Sequence, residues 1–244
     1  MAASEAPAGQ SFEFQAEVQK LLEILIHSVY SSKDVFIREL VSNASDALEK
    51  VRFAQVRGTE LVEDDRELGI WIETEKDDDH AKLVISDNGI GMTEGEVRSN
   101  LGTIARSGAA AFVEALEDAK DKDDVNLIGQ FGIGFYSVFM VADRVVLRTR
   151  SATPGSAAVE WESDGLSAYS VRTVEEEMPR GTRIEIHLKS DEARFADDQT
   201  LEDAIRTYSN FVSFPVHLNG EVKNRTQAIW REQPSNVTEE QYEE

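Results

Sequence analysis

The sequence contains no cysteine in its 244 residues. Without this side chain the protein has no disulfide framework, no cysteine-ligated zinc site and no thiol nucleophile. Histidine is also scarce, and the four histidines lie too far apart in the sequence for a metal-binding motif; they are His27, His80, His187 and His217. The sequence therefore excludes thiol chemistry and gives no sign of a histidine-ligated metal.

Positive charge and long apolar runs are lacking as well. Lysine and arginine number 25 against 47 aspartates and glutamates, which leaves a net charge of −22, and the basic residues form no patch. Such a surface repels nucleic acids and anionic membranes. No segment approaches the roughly 20 apolar residues of a transmembrane helix, and the N-terminal MAASEAPAGQ lacks the pattern of a signal peptide. We therefore expect a cytoplasmic protein without nucleic-acid or membrane partners.

The pattern that is present predicts an α+β fold. Helices are predicted at 12–29, after Ser32 or Asp34, at 94–101, at 109–119 and at 201–212, and strands at 68–74, 82–86, 145–149, 158–162, 169–172, 182–188 and 216–218. Early helices followed by a meander of strands indicate a two-layer α/β sandwich, with helices on one face of a mixed, mainly antiparallel sheet. Residues 1–11 are predicted to be a disordered leader.

Residues 38–50, RELVSNASDALEK, place three polar side chains along one line of a predicted helix. At about 100° per residue, Glu39, Asn43 and Asp46 lie within about 60° of one another, beside an apolar arc that includes Ala47. Taken alone, this pattern is typical of the polar edge of an amphipathic helix. Only the motifs further along the chain make these residues functional candidates.

The second motif, Asp87-Asn-Gly-Ile-Gly91-Met92, directly follows a predicted strand. An ionised carboxylate only accepts hydrogen bonds, so Asp87 could receive the exocyclic amine of adenine and disfavour guanine, which carries a carbonyl at that position. The glycines let the backbone approach a ring closely, and Met92 offers an adaptable apolar wall. The alternative is an ordinary Asn-Gly turn after a strand.

The third motif, GQFGIGF from Gly129 to Phe135, runs into a predicted apolar helix at 136–141. Unpaired amides and the positive end of a helix dipole suit phosphate oxygens. The glycine order G-x-x-G-x-G differs from the dinucleotide fingerprint, and the chain has no Gly-Lys pair of the kind that a P-loop requires. A loop that merely packs against a helix is the alternative.

Together with the Gly181-Thr182 pair at the start of an alternating strand, these motifs resemble the Bergerat-type ATP-binding fold of the GHKL superfamily. Type II topoisomerases, MutL proteins, histidine kinases and the 90-kilodalton heat-shock chaperones share that fold. The segments RELVSNASDA, SDNGIGMT, NLGTIARSG and IGQFGIGFYSVFMVADRV are similar to the chaperones specifically, in their bacterial HtpG form. The resemblance runs from about Phe12 to the end of the chain.

The resemblance implies a role for each candidate. Asn43 would supply an amide oxygen to Mg²⁺, and Glu39 would orient or deprotonate the attacking water. Asp87 would hold adenine, with Thr182 assisting through water. The other implied nucleotide contacts are Ala47, Gly91, Met92, Asn100, Leu101, Arg106, Gly132, Gly134 and Phe135, with Asp46 and Lys50 at the edge of the pocket. Arg106 stands where this family often has lysine. The implied cofactor is Mg²⁺ with ATP or ADP.

The resemblance also implies a domain organisation. Residues 12–218 would form the nucleotide-binding domain, with a lid at about 100–129 that closes over the nucleotide. Residues 219–244 resemble a short linker and the truncated start of a middle domain. Client proteins and the homodimer contact would then belong to regions outside this sequence, and this piece alone would be monomeric.

Two functions from different classes fit this sequence. The first is the ATPase module of an HtpG-type chaperone, in which slow hydrolysis and lid closure drive the folding of client proteins. The second is a histidine kinase catalytic domain, for which His27 is the candidate acceptor, although a packed or surface histidine is the simpler explanation. A module that binds nucleotide without turning it over is a further alternative.

Overall fold

The computed structural model describes residues 9–14, 33–63, 65–76, 80–102, 134–166 and 168–225. Within these residues the chain forms helices α1 (Val35–Val56), α2 (Glu94–Gly102) and α3 (Asp198–Tyr208), and 3₁₀ helices at Gly134–Met140 and Ser190–Ala196. The strands are β1 (Gln10–Glu13), β2 (Ile70–Lys76), β3 (Ala81–Asp87), β4 (Ala142–Arg150), β5 (Ala158–Ser163), β6 (Ala168–Val174), β7 (Gly181–Leu188), β8 (Val216–Leu218) and β9 (Glu221–Val222).

The described strands form one sheet in the order β1-β6-β5-β4-β7-β3-β2-β8-β9. Neighbouring strands are antiparallel except β2 and β8, which run parallel. At the centre of the sheet, Asp87 at the end of β3 and Thr149 near the end of β4 both pair with Thr182 at the start of β7. The Asp87 motif and the Gly181-Thr182 pair therefore meet at one end of the central strands, beside Thr149.

The core lies between the helices and one face of this sheet. Helix α1 buries an apolar stripe of Val35, Phe36, Ile37, Leu40, Val41, Ala44, Leu48 and Val51. Strand β7 shows the predicted alternation, because Ile184, Ile186 and Leu188 are buried while the residues between them are partly exposed. On β5, Glu160 instead forms ion pairs with arginines of the flanking strands. The predicted α+β sandwich with a mainly antiparallel sheet is thereby confirmed.

None of the described helices is long and apolar enough for a membrane crossing.

The start of the described chain differs from the prediction. Gln10–Glu13 form an edge strand on β6, whereas the sequence predicted a leader through residue 11 and a helix from Phe12. The ring of Phe12 stacks on Tyr169 with centroids 5.5 Å apart, and that of Phe14 lies 5.1 Å from the same ring. These aromatic contacts with a distant strand override the local helical pattern. The rest of the predicted helix at 12–29, and the one at 109–119, lie outside the described residues.

The helix predicted at 136–141 is a 3₁₀ helix that begins two residues earlier, at Gly134. Its carbonyl oxygens find side-chain donors: the Ser137 hydroxyl donates to Gly134 at 2.5 Å, and the Lys189 ammonium donates to Phe139 and Met140 at 2.9 and 3.2 Å. These bonds give partners to carbonyl oxygens at both ends of this short helix. The segment that follows the predicted phosphate loop is thus a 3₁₀ helix rather than an α-helix.

Candidate functional site

The turn after β3 fixes the orientation of Asp87. The Gly89 N–H donates to Asp87 Oδ1 at 2.8 Å, which leaves the second carboxylate oxygen for another donor. Burial raises the pKa of the Asp87 carboxyl to about 7, although backbone hydrogen bonds from Gly89 and Thr182 and the charge of Arg180 act in the opposite direction. The group therefore changes charge near neutral pH. The turn thus holds a hydrogen-bond acceptor, the Asp87 carboxylate, whose ionisation depends on burial, on these hydrogen bonds and on the charge of Arg180.

A hydroxyl network lies beside this carboxylate. Thr149 Oγ1 donates to the Gly181 carbonyl oxygen at 2.9 Å, accepts from the Met92 N–H at 3.0 Å and lies 3.2 Å from Thr182 Oγ1. With the proton of Thr149 used on the carbonyl, the Thr182 hydroxyl donates to Thr149 and keeps its lone pairs as acceptors. The structure thus brings together two predicted site residues, Met92 and Thr182, through Thr149, which the sequence argument missed.

Helix α1 contacts the same loop from the other side. The Ile90 N–H donates to the carbonyl oxygen of Ala47 at 3.0 Å, so the predicted contact residue Ala47 anchors the loop through its main chain. Gly91 has φ of +61°, and a Cβ at this position would overlap the carbonyl oxygen of Arg150. Only glycine fits both constraints. Asn100 on α2 donates from Nδ2 to Met92 Sδ at 3.7 Å, which places it at the rim of this site.

The other end of α1 carries Glu39, which is only 9% exposed. Arg38 donates to Glu39 Oε1 from Nε at 3.0 Å and from Nη2 at 2.8 Å. The second oxygen, Oε2, faces Gly134, where a Cβ would overlap it. The structure therefore brings the predicted catalytic carboxylate against the predicted phosphate segment. Arg38 is a second residue that the sequence argument missed.

Asn43 lies one helical turn after Glu39 and is exposed, so its amide oxygen is available to a ligand. Among the described residues no group of three or more histidine, cysteine, aspartate or glutamate side chains could hold a metal. A magnesium ion that takes most of its ligands from phosphates and water needs only one or two protein oxygens. The residues present therefore fit Mg²⁺ brought by a nucleotide. Asp46 and Lys50 are exposed further along α1.

The start of the predicted lid is tied to the 3₁₀ helix. The Tyr136 hydroxyl donates to the carbonyl oxygen of Leu101 at 3.2 Å. The Phe135 ring meets the Tyr136 and Trp161 rings edge to face, with centroids 5.7 and 5.6 Å away. The predicted contacts Leu101 and Phe135 are thus neighbours in the fold. Arg106, Gly132, His27 and most of the lid at 100–129 lie outside the described residues.

Arg180 is the third residue that the sequence argument missed. It is 1% exposed and donates to main-chain carbonyl oxygens of the Asp87 turn and of the loop before β2. Its position directly before the Gly181-Thr182 pair was the one available signal. Nothing in the local pattern of Thr149 or Arg180 indicates which distant groups they contact, and nothing near Arg38 indicates that it binds its neighbour Glu39.

Comparison with known proteins assigns this chain to a family. Residues 30–192 match the family model described as histidine kinase-, DNA gyrase B- and HSP90-like ATPase. The chain is 48% identical over 232 residues to the chaperone protein HtpG of Desulfitobacterium hafniense, covering 95% of this chain and 37% of that protein. HtpG of Nitratidesulfovibrio vulgaris is 48% identical over 241 residues, covering 97% of this chain and 38% of the relative.

A mitochondrial protein is similar as well. The rat mitochondrial heat shock protein of 75 kDa is 49% identical over 232 residues, covering 95% of this chain and 32% of that protein. The chain thus spans less than two fifths of the length of each of these relatives. The predicted resemblance to the HtpG chaperones is confirmed, and these relatives favour the chaperone prediction over the histidine kinase. The chain belongs to the histidine kinase-, DNA gyrase B- and HSP90-like ATPase family.

Proposed function

We propose that this chain is the N-terminal ATP-binding and ATPase module of an HtpG-type chaperone. The observation that carries the proposal is the course of α1. Near its start, buried Glu39 lies against Gly134, and two turns later Ala47 binds the loop that follows Asp87. One rigid helix therefore fixes a water-activating carboxylate at a set distance from an adenine-selecting carboxylate. An extended nucleotide fits this arrangement along the helix.

The bound nucleotide would lie with its base at Asp87 and its phosphates near Gly134. Asp87 accepts the exocyclic amine of adenine, and Thr182 and Met92 border the base. Gly91, Asn100 and Leu101 surround the base and sugar, while Phe135, Arg106 and Gly132 serve the phosphates. Glu39 then orients or deprotonates the water that attacks the terminal phosphate. When bound, Mg²⁺ neutralises phosphate charge and is held on the protein side by Asn43.

In the whole protein this module would power a homodimeric chaperone in the cytoplasm. Residues 12–218 form the nucleotide-binding domain, and the segment at 100–129 closes as a lid over ATP. Client proteins bind to regions that the relatives possess beyond the span matched here. The proposal rests on the family membership and on the similarity to the HtpG chaperones.

Asn43→Ala should selectively lower the magnesium-dependent part of nucleotide binding. Loss of one ligand to the ion corresponds to about a tenfold weaker affinity for Mg-ATP. Binding of ATP in excess chelator should change by less than about twofold, because that contact needs the metal. Calorimetric titration with and without Mg²⁺ measures both values. Ser42→Ala, at the neighbouring exposed position of α1, is the control. An equal loss with and without Mg²⁺ would remove Asn43 from the metal site.

Incubation with ATP labelled at the γ-phosphate tests the proposed function against the histidine kinase. We expect slow release of free phosphate and no acid-labile phosphoprotein, in the wild type and in His27→Gln alike. A labelled protein whose label disappears in His27→Gln would instead establish the kinase. ATP binding that yields neither product would leave a binding-only module. Absence of ATP binding would reject all three.

A further inference from the structure

Arg180 is a buried charged side chain to which the proposed function assigns no task. It is 1% exposed. Its guanidinium donates to the carbonyl oxygen of Asn88, to that of Gly89 at 3.2 Å, and to that of Glu63 at 3.3 and 3.1 Å. These carbonyls satisfy its donors but carry no net charge. Because charges interact more strongly away from water, the buried Arg180 cation acts on the carboxylate of this turn.

Asp87 is the carboxylate in the right place. Arg180 lies close enough for its charge to lower the pKa of Asp87 against the opposing effect of burial. The two side chains also hold one turn: Arg180 binds the carbonyl oxygens of Asn88 and Gly89, while Asp87 Oδ1 accepts the Gly89 N–H at 2.8 Å. Arg180 thus favours the ionised form of Asp87 and holds the turn that orients its side chain.

The main chain keeps Arg180 at this position. Gly181 has φ of +119°, and a Cβ there would overlap the Asp87 carbonyl oxygen and lie 2.8 Å from Asn88 Cα. The Asn88 side chain is buried and accepts from the Gly69 N–H at 3.0 Å while donating to the Glu67 carbonyl oxygen at 2.6 Å. The main chain at Gly181 therefore packs directly against the Asp87 turn, which the Asn88 side chain ties to the loop before β2.

We propose that Arg180 determines base specificity, because its buried charge favours the ionised form of Asp87 and its hydrogen bonds hold the turn that aims this carboxylate at the base. This inference rests on the proposed function, in which Asp87 accepts the exocyclic amine of adenine. An ionised carboxylate accepts from that amine and repels the carbonyl oxygen at the same position of hypoxanthine. A protonated carboxyl donates to that carbonyl. The ratio of the two forms therefore sets the preference for ATP over ITP.

Arg150 provides a matched control among the other charged groups near this turn. It donates to the carbonyl oxygens of Ser156 at 3.2 Å and Met178 at 2.8 Å, and it lies 3.9 Å from the carboxylate of Glu63, which Arg66 also binds at 2.8 Å. Arg150 therefore shares the type of bonding and the neighbourhood of Arg180. It differs in binding neither Asn88 nor Gly89.

The test is the ratio of the ATP and ITP affinities, measured by calorimetry at one pH. Arg180→Met should lower this ratio by clearly more than about twofold, because loss of the positive charge raises the pKa of Asp87 and each pKa unit changes the ratio of ionised to protonated Asp87 about tenfold. Arg180→Gln, which keeps donors but no charge, should do the same. Arg180→Lys should retain most of the preference, and Arg150→Met should stay within about twofold of the wild type.

Several results would overturn the proposal. Equal losses for ATP and ITP in Arg180→Met and Arg180→Gln would show that Arg180 merely supports the fold. The same conclusion would follow if all three Arg180 variants failed to fold, as judged by circular dichroism, while Arg150→Met folded normally. Different results would contradict the proposed function itself. These are a wild type that does not prefer ATP over ITP, or an Asp87→Asn variant that keeps this preference.

Discussion

Asp87→Asn should weaken ATP binding by about a hundredfold. The carboxylate accepts the Gly89 N–H with one oxygen and, in the proposed complex, the adenine amine with the other. An asparagine that keeps its oxygen on Gly89 presents its NH₂ group to that amine, so two donors face each other in a buried site. Loss of a hydrogen bond to a charged acceptor together with an unpaired donor costs about 2–3 kcal/mol, which corresponds to this change in affinity.

Asp164→Asn is the matched control for this variant. Asp164 Oδ1 accepts the Leu166 N–H at 2.9 Å, the same spacing of two residues, but in an exposed turn. Its replacement should change the ATP affinity by less than about twofold. Calorimetric titration measures both variants, and circular dichroism checks that they fold. If Asp87→Asn binds ATP as the wild type does, Asp87 is not the adenine acceptor.

The same carboxyl should make ATP binding depend on pH. Its pKa in the free protein is about 7, and adenine binds to the ionised form, so binding lowers the pKa and releases a proton below that pH. The ATP affinity should therefore rise as the pH increases towards 7 and then level off. Since the phosphates of ATP titrate as well, the relevant quantity is the difference between the wild type and Asp87→Asn. No difference in slope would contradict the assignment.

The periodicity of apolar residues predicted the structure correctly where a helix or strand buries one face. Helix α1 and strand β7 bury the predicted stripes, and the sheet is mainly antiparallel as expected. It failed where distant groups decide the backbone. Strand β1 follows from the packing of Phe12 and Phe14 on Tyr169, and the end of the 3₁₀ helix at 134–140 accepts a hydrogen bond from the distant Lys189.

In the candidate site, too, local motifs could be interpreted from the sequence, whereas long-range contacts could not. Glu39 and Asp87 stand in short motifs whose chemistry can be interpreted locally, and the structure places both in suitable surroundings. Arg180 acts on residues more than ninety positions away in the sequence, and no local pattern encodes such a contact. The contact between Arg38 and its neighbour Glu39 could not be predicted either, because residues adjacent in a helix do not ordinarily face each other. Sequence motifs thus pointed to candidate reactive groups but not to the side chains that contact them.

Glu39→Gln should abolish most ATP turnover while leaving ATP affinity nearly unchanged. A positioned general base contributes about 10²–10⁴ to a rate, and glutamine keeps the size of glutamate but cannot accept a proton from water. We therefore expect phosphate release to fall by at least about a hundredfold. The ATP affinity should stay within about threefold, because Glu39 acts on the water rather than on the nucleotide.

Glu49→Gln on the same helix controls for the loss of one negative charge. Glu49 is exposed and its carboxylate lies 3.0 Å from Arg52, far along α1 from Gly134. Its replacement should leave turnover within about twofold. The decisive comparison is between rate and affinity: if Glu39→Gln lost both in equal proportion, the carboxylate would serve binding or packing. Since Arg38 occupies only Oε1 and Oε2 faces Gly134, a selective loss of rate would locate the attacking water between Glu39 and the start of the 3₁₀ helix.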